Sequence, residues 1–256
     1  MEIIGLIPAG GKASRLGKLP FSKEVYPINP IVDEKRNNPR VISEYLLKYY
    51  RAAGIKQVYF IIRRGKWDIL DYFGDGEEQQ LNIGYLIINK SYGVPFTLDQ
   101  AYPFIQNKYV ALGFPDIIFQ PENAYSELIT RIQATNADII LGVFPIKNYQ
   151  SWDRIEFDQS GRIRGIVVKQ NRTDLNLGWT IAIWNPTFSE FMHEQLQEFL
   201  KQRNSRKEIS EIYAGDIIDA AIKKGLKTDY VIFEKGSCID LGTPDELLKA
   251  LKKLYE

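Results

Sequence analysis

Strand-like and helix-like segments alternate through the first 145 residues, and this rhythm constrains the chain more than any other feature of its sequence. Apolar runs at 3–7, 58–62, 86–88, 109–112 and 139–144 read as strands, the last apolar enough to be covered on both faces. Between them, 41–53 has helical spacing, with Ile42, Leu46, Leu47 and Tyr50 on one stripe and Gly54 as a stop. Residues 66–73 read as a short helix before the turn at 74–76, and 121–135 as a longer one. Such alternation predicts an α/β fold with a mostly parallel sheet between helices. After residue 145 the pattern changes. Residues 154–157 and 163–168 form a predicted hairpin about 158–161, 179–184 and 230–233 are strand-like, and 186–200, 216–224 and 244–254 are helical, the last opened by Pro244. No proline-rich or glycine-serine linker and no internal repeat divides the chain, so one domain over 1–256 is expected, with 1–145 and 146–256 as its two halves.

Charge and cysteine usage exclude several classes. Lys and Arg number 33 against 32 Asp and Glu, which leaves no broad basic field to hold a nucleic-acid backbone. The single cysteine, Cys238, cannot close an internal disulfide, and a reducing compartment fits it. The start of the chain has no leader pattern and no apolar run is long enough to span a bilayer, so a cytoplasmic protein with no membrane partner is expected. The one histidine, His193, falls in a helical stretch and is expected to be structural.

The first strand runs directly into Pro8-Ala9-Gly10-Gly11-Lys12-Ala13-Ser14-Arg15-Leu16. Adjacent glycines after a strand let the backbone turn tightly and bring N–H groups close to an anion. Lys12, Ser14, Arg15 and Lys23 follow, giving the hydroxyl and fixed positive charges that a triphosphate requires. The spacing matches neither the P-loop nor the dinucleotide fingerprint, and a surface turn with basic neighbours would read the same. Asp116 stands just beyond the strand 109–112, at the sheet edge where α/β proteins gather ligands, and a carboxylate there suits Mg²⁺. Asp240 holds a similar place between an apolar run and a helix start. Lys169 ends a strand, where it could face a second phosphate or simply solvent.

In combination these segments resemble the sugar-1-phosphate nucleotidyltransferases, in particular the glucose-1-phosphate thymidylyltransferase and uridylyltransferase branch. The matching motifs are Gly10-Gly11-Lys12-Ala13-Ser14-Arg15-Leu16, Pro20-Phe21-Ser22-Lys23, Leu112-Gly113-Phe114-Pro115-Asp116, Val168-Lys169, Gly178, and Ile239-Asp240-Leu241-Gly242-Thr243-Pro244, in family order over nearly the whole chain. The resemblance implies a Rossmann-like nucleotidyltransferase fold with an additional sugar-binding β-rich region, nucleotide held mainly by 1–145 and sugar phosphate mainly by 146–256. It implies transfer of a nucleotidyl group from a nucleoside triphosphate, dTTP or UTP, to a sugar 1-phosphate. Arg15 and Lys23 would grip the triphosphate, Lys169 would orient the sugar phosphate, and Asp116 and Asp240 would hold Mg²⁺. Ala9, Gly10, Gly11, Lys12, Ser14, Tyr92, Pro95, Thr97, Gly113, Arg154, Val168 and Gly178 would contact substrates, and a homo-oligomer is compatible with the apolar helices.

Departures from the family pattern bear on the substrates. Tyr92 stands at the position of a base-recognising Gln, and Pro95-Phe96-Thr97-Leu98-Asp99 replaces Pro-x-Gly-Leu-Ala. Val168 replaces a Glu that hydrogen-bonds sugar hydroxyls, and Arg154 takes a position that is often glycine, a change expected to favour a more anionic sugar. Three other readings remain open at this point: a non-catalytic nucleotide or nucleotide-sugar sensor, a nucleotidyltransferase acting on an alcohol phosphate, and a glycosyltransferase.

Overall fold

The computed structural model describes residues 1–11, 14–17, 19–29, 39–146, 152–170, 172, 174–203 and 211–255. In the first half, strand β1 (Ile3–Ala9) is followed by the small pair β2 (Pro27–Asn29) and β3 (Arg40–Val41), helix α1 (Ile42–Ala52), β4 (Gln57–Arg63), α2 (Trp67–Phe73) and β5 (Asn82–Ile88). Two short helices, α3 (Val94–Asp99) and α4 (Tyr102–Ile105), lead to β6 (Tyr109–Leu112), β7 (Ile117–Gln120), α5 (Ala124–Thr135) and β8 (Ile139–Pro145). The second half adds β9 (Arg154–Phe157), β10 (Ile163–Val167), β11 (Leu177–Trp184), α6 (Pro186–Arg203), α7 (Ala214–Lys223), β12 (Thr228–Ile232), β13 (Ser237–Asp240) and α8 (Pro244–Tyr255). Among the described residues no helix is long and apolar enough to cross a membrane.

One nine-stranded sheet carries the molecule, in the order β10-β9-β11-β6-β1-β4-β5, with β8 and β12 joined through β11. The strands β6, β1, β4 and β5 run parallel, as the alternation in the first half predicts. The change of character after residue 145 is a change of direction: β11 runs antiparallel to β6, β8 and β9. Successive β1 residues serve opposite layers. Ile7 and Ala9 join a core with Leu46, Ile69 and Leu128 of α1, α2 and α5, while Ile4 and Leu6 join Leu98, Leu196 and Ile218 of α3, α6 and α7. A strand buried on both faces must be apolar throughout, hence the unbroken run at its start. Pro8 is tolerated in this central strand because β6 pairs β1 only from Ile3 to Leu6. Its missing N–H therefore costs no ladder hydrogen bond.

Two features of the sheet create a cleft. The carboxyl ends of β1, β4, β5 and β6 open together at one edge. Beside them, one edge of β11 passes from β9, paired at Gly178, to β6, paired from Ala182, with a bulge between Trp179 and Ile181. The stretch between these pairings faces the opening.

Candidate active site

The opening is a cleft of about 720 Å³, a size suited to a nucleotide with a second small ligand. Gly10, Gly11, Arg15, Lys23, Asp116 and Asp240 line one end, and Asp153, Lys169, Trp179, Thr180 and Tyr213 the other.

A local scaffold fixes Lys23. It begins a 3-10 turn, Lys23–Val25, whose neighbours are clamped on both sides. Ser22 donates its N–H and hydroxyl to the Asp68 carboxylate of α2 at 2.5 and 2.7 Å. Glu24 is fully buried, accepts from Lys66 Nζ at 2.7 and 2.8 Å, and its backbone carbonyl accepts from the Ser43 hydroxyl at 2.6 Å. Burial pushes the Glu24 carboxyl up and the Lys66 ammonium down, and each charge opposes the other's shift. A buried pair of this kind costs desolvation and is stable only while both partners remain. Its effect here is to hold the backbone on either side of Lys23, whose ammonium donates to Asp116 Oδ2 across the cleft floor.

Asp116 and Asp240 lie far apart in sequence and adjacent in space because β7 and β13 pair antiparallel, with Ile117 opposite Asp240. The Leu241 N–H donates to the Asp116 carbonyl at 2.8 Å and the Gly242 N–H to Asp240 Oδ1 at 2.7 Å. Arg15 Nη1 lies 3.8 Å from Asp240 Oδ2. Gly242 has to be small: a Cβ there would lie 2.8 Å from Arg15 Nη2, 2.8 Å from Asp240 Oδ1 and 3.2 Å from Asp116 Oδ2. Burial alone would raise Asp116, but the Lys23 charge and hydrogen bond hold it below the usual carboxylate range. Burial would likewise lower Lys23, and Asp116, Glu24 and Asp240 together raise it. Asp240 is pushed up by burial and then by the charge of Asp116. Two carboxylates that repel at a shared spot, beside two cations, form an electrostatic site awaiting redistribution of charge.

At the other end, Lys169 follows β10 in a left-handed conformation, φ 43°, with Nζ 3.6 Å from the Tyr213 ring centroid. Asp153 precedes β9, and its carboxylate lies against the first turn of α7, where a Cβ on Gly215 would stand 2.5 Å from Asp153 Oδ2. Burial pushes this carboxyl up to about 6 against the opposing charge of Lys169.

The remaining residues singled out in the sequence divide by position. Thr97 reaches the cleft from α3, bonded to Ser91 Oγ at 2.9 Å, and the segment 95–97 lies within that helix. Ala9 is core, and Pro95 is buried in α3 without lining the cleft. Tyr92 packs edge-on against Phe96 at 5.3 Å, with Lys90 Nζ 5.2 Å from its ring, and it is Asn89, Lys90 and Ser91 that line the cleft. Gly113 serves packing, since a Cβ would lie 2.4 Å from Leu46 Cδ1 and 2.6 Å from the Tyr125 hydroxyl. Gly178 admits the Asp153 carbonyl, 2.9 Å from where its Cβ would stand. Val168 packs in the core beside Gly215. Arg154, expected beside a sugar, is fully buried and donates to the Arg172 carbonyl, and Asp153, one residue earlier, lines the cleft in its place. Lys12 and the Ser14 side chain lie outside the described residues. His193 takes Asp99 at 2.9 and 3.1 Å and stacks on Tyr102 at 3.9 Å, away from the cleft. Sequence reasoning missed Glu24, Lys66, Asp68, Asp153, Trp179 and Thr180, whose roles depend on partners that no local motif specifies.

An α/β sheet whose parallel carboxyl ends hold paired cations and carboxylates at one end of a two-ended cleft defines a nucleotide-handling class. The chain belongs to the nucleotidyl transferase family, whose model matches residues 4–256. No curated protein matches the sequence significantly. Among solved structures, a Bacillus anthracis protein described as a glucose-1-phosphate thymidylyltransferase, in complex with sucrose, superposes with a TM-score of 0.82 at 17% identity, over 99% of this chain and 96% of that one. A UDP-glucose pyrophosphorylase complexed with UDP-glucose superposes with a TM-score of 0.77 at 17% identity, over 100% and 99%. At such identity the likeness is one of fold.

Proposed function

We propose that the chain transfers a nucleotidyl group from a nucleoside triphosphate, dTTP or UTP, to a sugar 1-phosphate, releasing pyrophosphate. The observation that carries this reading is the polarity of the cleft: Arg15 and Lys23 at one end, Lys169 at the other, and space between them for two ligands to meet. The structural relatives, one binding UDP-glucose and one described as acting on glucose 1-phosphate, support the same substrates.

In this mechanism an oxygen of the sugar phosphate attacks the α-phosphorus, the bond to the β-phosphate oxygen breaks, and its electrons leave on pyrophosphate. The nucleophile is already ionised and needs no base, which agrees with a cleft whose wall does not include the one histidine. The chain's task is alignment and neutralisation. Gly10 and Gly11 let the phosphates approach the backbone; a Cβ at Gly11 would meet open space, so its smallness serves whatever enters from outside. Lys23 exchanges Asp116 for the β- and γ-phosphate oxygens, and Arg15, exposed at the rim, closes over the leaving group. Lys169 orients the attacking phosphate.

Asp116 and Asp240 fit Mg²⁺. Two carboxylates that repel each other are what a dication reconciles, and Mg²⁺ ordinarily takes few protein ligands and completes its shell with phosphates and water. When bound, the ion supplies charge neutralisation on the triphosphate.

The test is pyrophosphate release across dTTP, UTP, CTP, GTP and ATP against glucose, galactose and mannose 1-phosphates, with and without Mg²⁺. Release with one pair, dependent on Mg²⁺ and weakened in Asp240→Asn, is the expected result. Nucleotide binding without release from any pair would replace the reading by a sensor.

A further inference from the structure

The large sheet has three end strands, β10, β12 and β5, and two of them are blunted. At β10 the register shifts between Ile163 and Gly165, and the exposed Arg164 sits at the shift. At β12 the Asp229 carboxylate holds Arg131 of α5 through two hydrogen bonds of 2.8 and 3.1 Å. Bulges and charges are the devices that keep an open strand from pairing with another chain. The third end strand has neither. β5 follows β4 in unbroken register from Asn82 to Ile88, and no residue from 82 to 89 is charged or proline.

The Asn82 N–H donates to the Lys56 carbonyl at 2.8 Å, and this fixes the alternation along β5. Asn82, Gly84, Leu86 and Ile88 turn their backbone groups to β4, whereas Ile83, Tyr85 and Ile87 turn theirs outward. Ile83 is served by the Asp75 carbonyl at 2.8 Å, so Tyr85 and Ile87 face out with no strand beyond them among the described residues. Apolar surface gathers around them. Ile87 is 47% exposed and shares a sheet face with Tyr85, which stacks on Phe60. Trp67 and Leu70 of α2, the helix between β4 and β5, are exposed, as is Phe104 of α4, whose ring packs on Tyr59 of β4. Exposed apolar patches of this kind mark interfaces.

The strand is its own complement. Its uncharged run is flanked by opposite charges, Asp75 and Glu77 in the turn beside Ile83 and Lys90 just past the far end. Antiparallel pairing with a second copy about a two-fold axis sets each acidic turn beside the other copy's Lys90, twice over; parallel pairing would set like beside like. In the register that puts Tyr85 opposite Ile87 of the second copy, the two residues exchange their outward backbone hydrogen bonds and an aromatic ring meets a β-branched side chain. Leu86 then meets Leu86 on the axis, and no charge faces its own kind along the strand.

We infer that β5 is an interface between two copies of this chain, joined edge to edge into one continuous sheet. A two-fold axis normal to the sheet keeps its faces aligned, so the two α2 helices approach each other on the same side. Because β5 runs out into Asn89, Lys90 and Ser91 on the cleft wall, the pairing also anchors the rim of each cleft. This interface is independent of the reaction that the cleft supports.

The experiment is sedimentation equilibrium on the full chain and on Ile87→Lys, with amide hydrogen exchange on both. The unaltered chain should sediment at twice the 29.5 kDa of one copy, or a multiple of that. Ile87→Lys, which sets a lysine beside each Tyr85, should halve the mass and weaken pairing on the order of a hundredfold. The Tyr85 and Ile87 amides should be protected in the unaltered chain, lose protection on dilution, and exchange freely in the variant while Phe60 stays protected. Dilution of the unaltered chain decides the matter even if the variant folds poorly. A single-chain mass at about 100 μM, where a micromolar dimer is formed, would overturn the interface. An unchanged mass in folded Ile87→Lys, or fast exchange at Tyr85 and Ile87 in the assembled chain, would overturn it equally.

Discussion

The two ends of the cleft solve different problems. At the end of the cleft proposed for the nucleotide, opposite charges already stand in pairs: Lys23 with Asp116, Arg15 with Asp240, Glu24 with Lys66. At the acceptor end Asp153, Trp179 and Thr180 carry atoms that meet nothing among the described residues. In the proposed reaction a triphosphate brings several charges at once, and a site of bare cations would repel itself before binding; the carboxylates would hold the cations in place until phosphate replaced them. One end is poised by paired charge, the other by unpaired polarity.

The largest way to break this contrast lies behind Lys23. Lys66→Met strands the buried Glu24 carboxylate and should cost on the order of 3–5 kcal/mol of stability. The double variant Lys66→Met, Glu24→Gln should recover most of that loss while turnover stays low, because Lys23 is no longer pinned. Denaturant melts beside an activity assay check both parts; full turnover in the double variant would show that the clamp does not position Lys23.

Next in size, Arg15→Ala should lower kcat by about 10²–10³-fold, the usual result of losing one donor to developing charge. Because Arg15 is exposed and 3.8 Å from its carboxylate, the melting temperature should scarcely move. A loss confined to KM would place Arg15 in ground-state binding instead.

A third prediction concerns the acceptor end and pH. Asp153 is held at about 6, above its unfolded value near ~3.9. For a raised carboxyl the sign is fixed: the stabilising contribution is full below the unfolded value and is lost as pH rises through about 6. Asp153→Asn should therefore flatten the pH dependence of stability over that window, as urea melts at stepped pH would register. Parallel curves for the two proteins would mean that Asp153 ionises as it does in water.

The smallest effect is expected at His193. Its contact with Asp99 and its stack on Tyr102 join α6 to α3 and α4 away from the cleft wall, so His193→Ala should cost about 0.5–1.5 kcal/mol and leave kcat unchanged. Selective loss of turnover would reopen its role.

The same contrast governs what could be read from the chain. The parallel half was legible because strands covered on both faces are continuous apolar runs, and Gly10-Gly11 and Asp116 fall at strand ends that such runs mark out. Asp240 was legible as a position, but its meeting with Asp116 depends on β7 and β13, strands of four residues each separated by more than a hundred positions. Nothing local announces that pairing. The Glu24–Lys66 and Ser22–Asp68 contacts are also non-local, joining a 3-10 turn to the start of α2. At the acceptor end the error was one of register. Arg154 was expected beside the sugar and Asp153 passed over, yet side chains alternate along a strand, so a shift of a single residue exchanges the buried face for the cleft. Tyr92 was displaced for a related reason: the loop 89–91 ends β5 at the cleft rim, while Tyr92 turns inward onto Phe96.

The central claim is that the two ends of the cleft hold two substrates between which a nucleotidyl group passes. The measurement that tests it most directly follows the α-phosphorus, with UTP or dTTP labelled there and incubated with a hexose 1-phosphate and Mg²⁺. Label recovered in a sugar diphosphate nucleoside, with unlabelled pyrophosphate released in equal amount, is the predicted result. Label remaining in triphosphate, or appearing only as free nucleoside monophosphate regardless of the sugar phosphate, would contradict it.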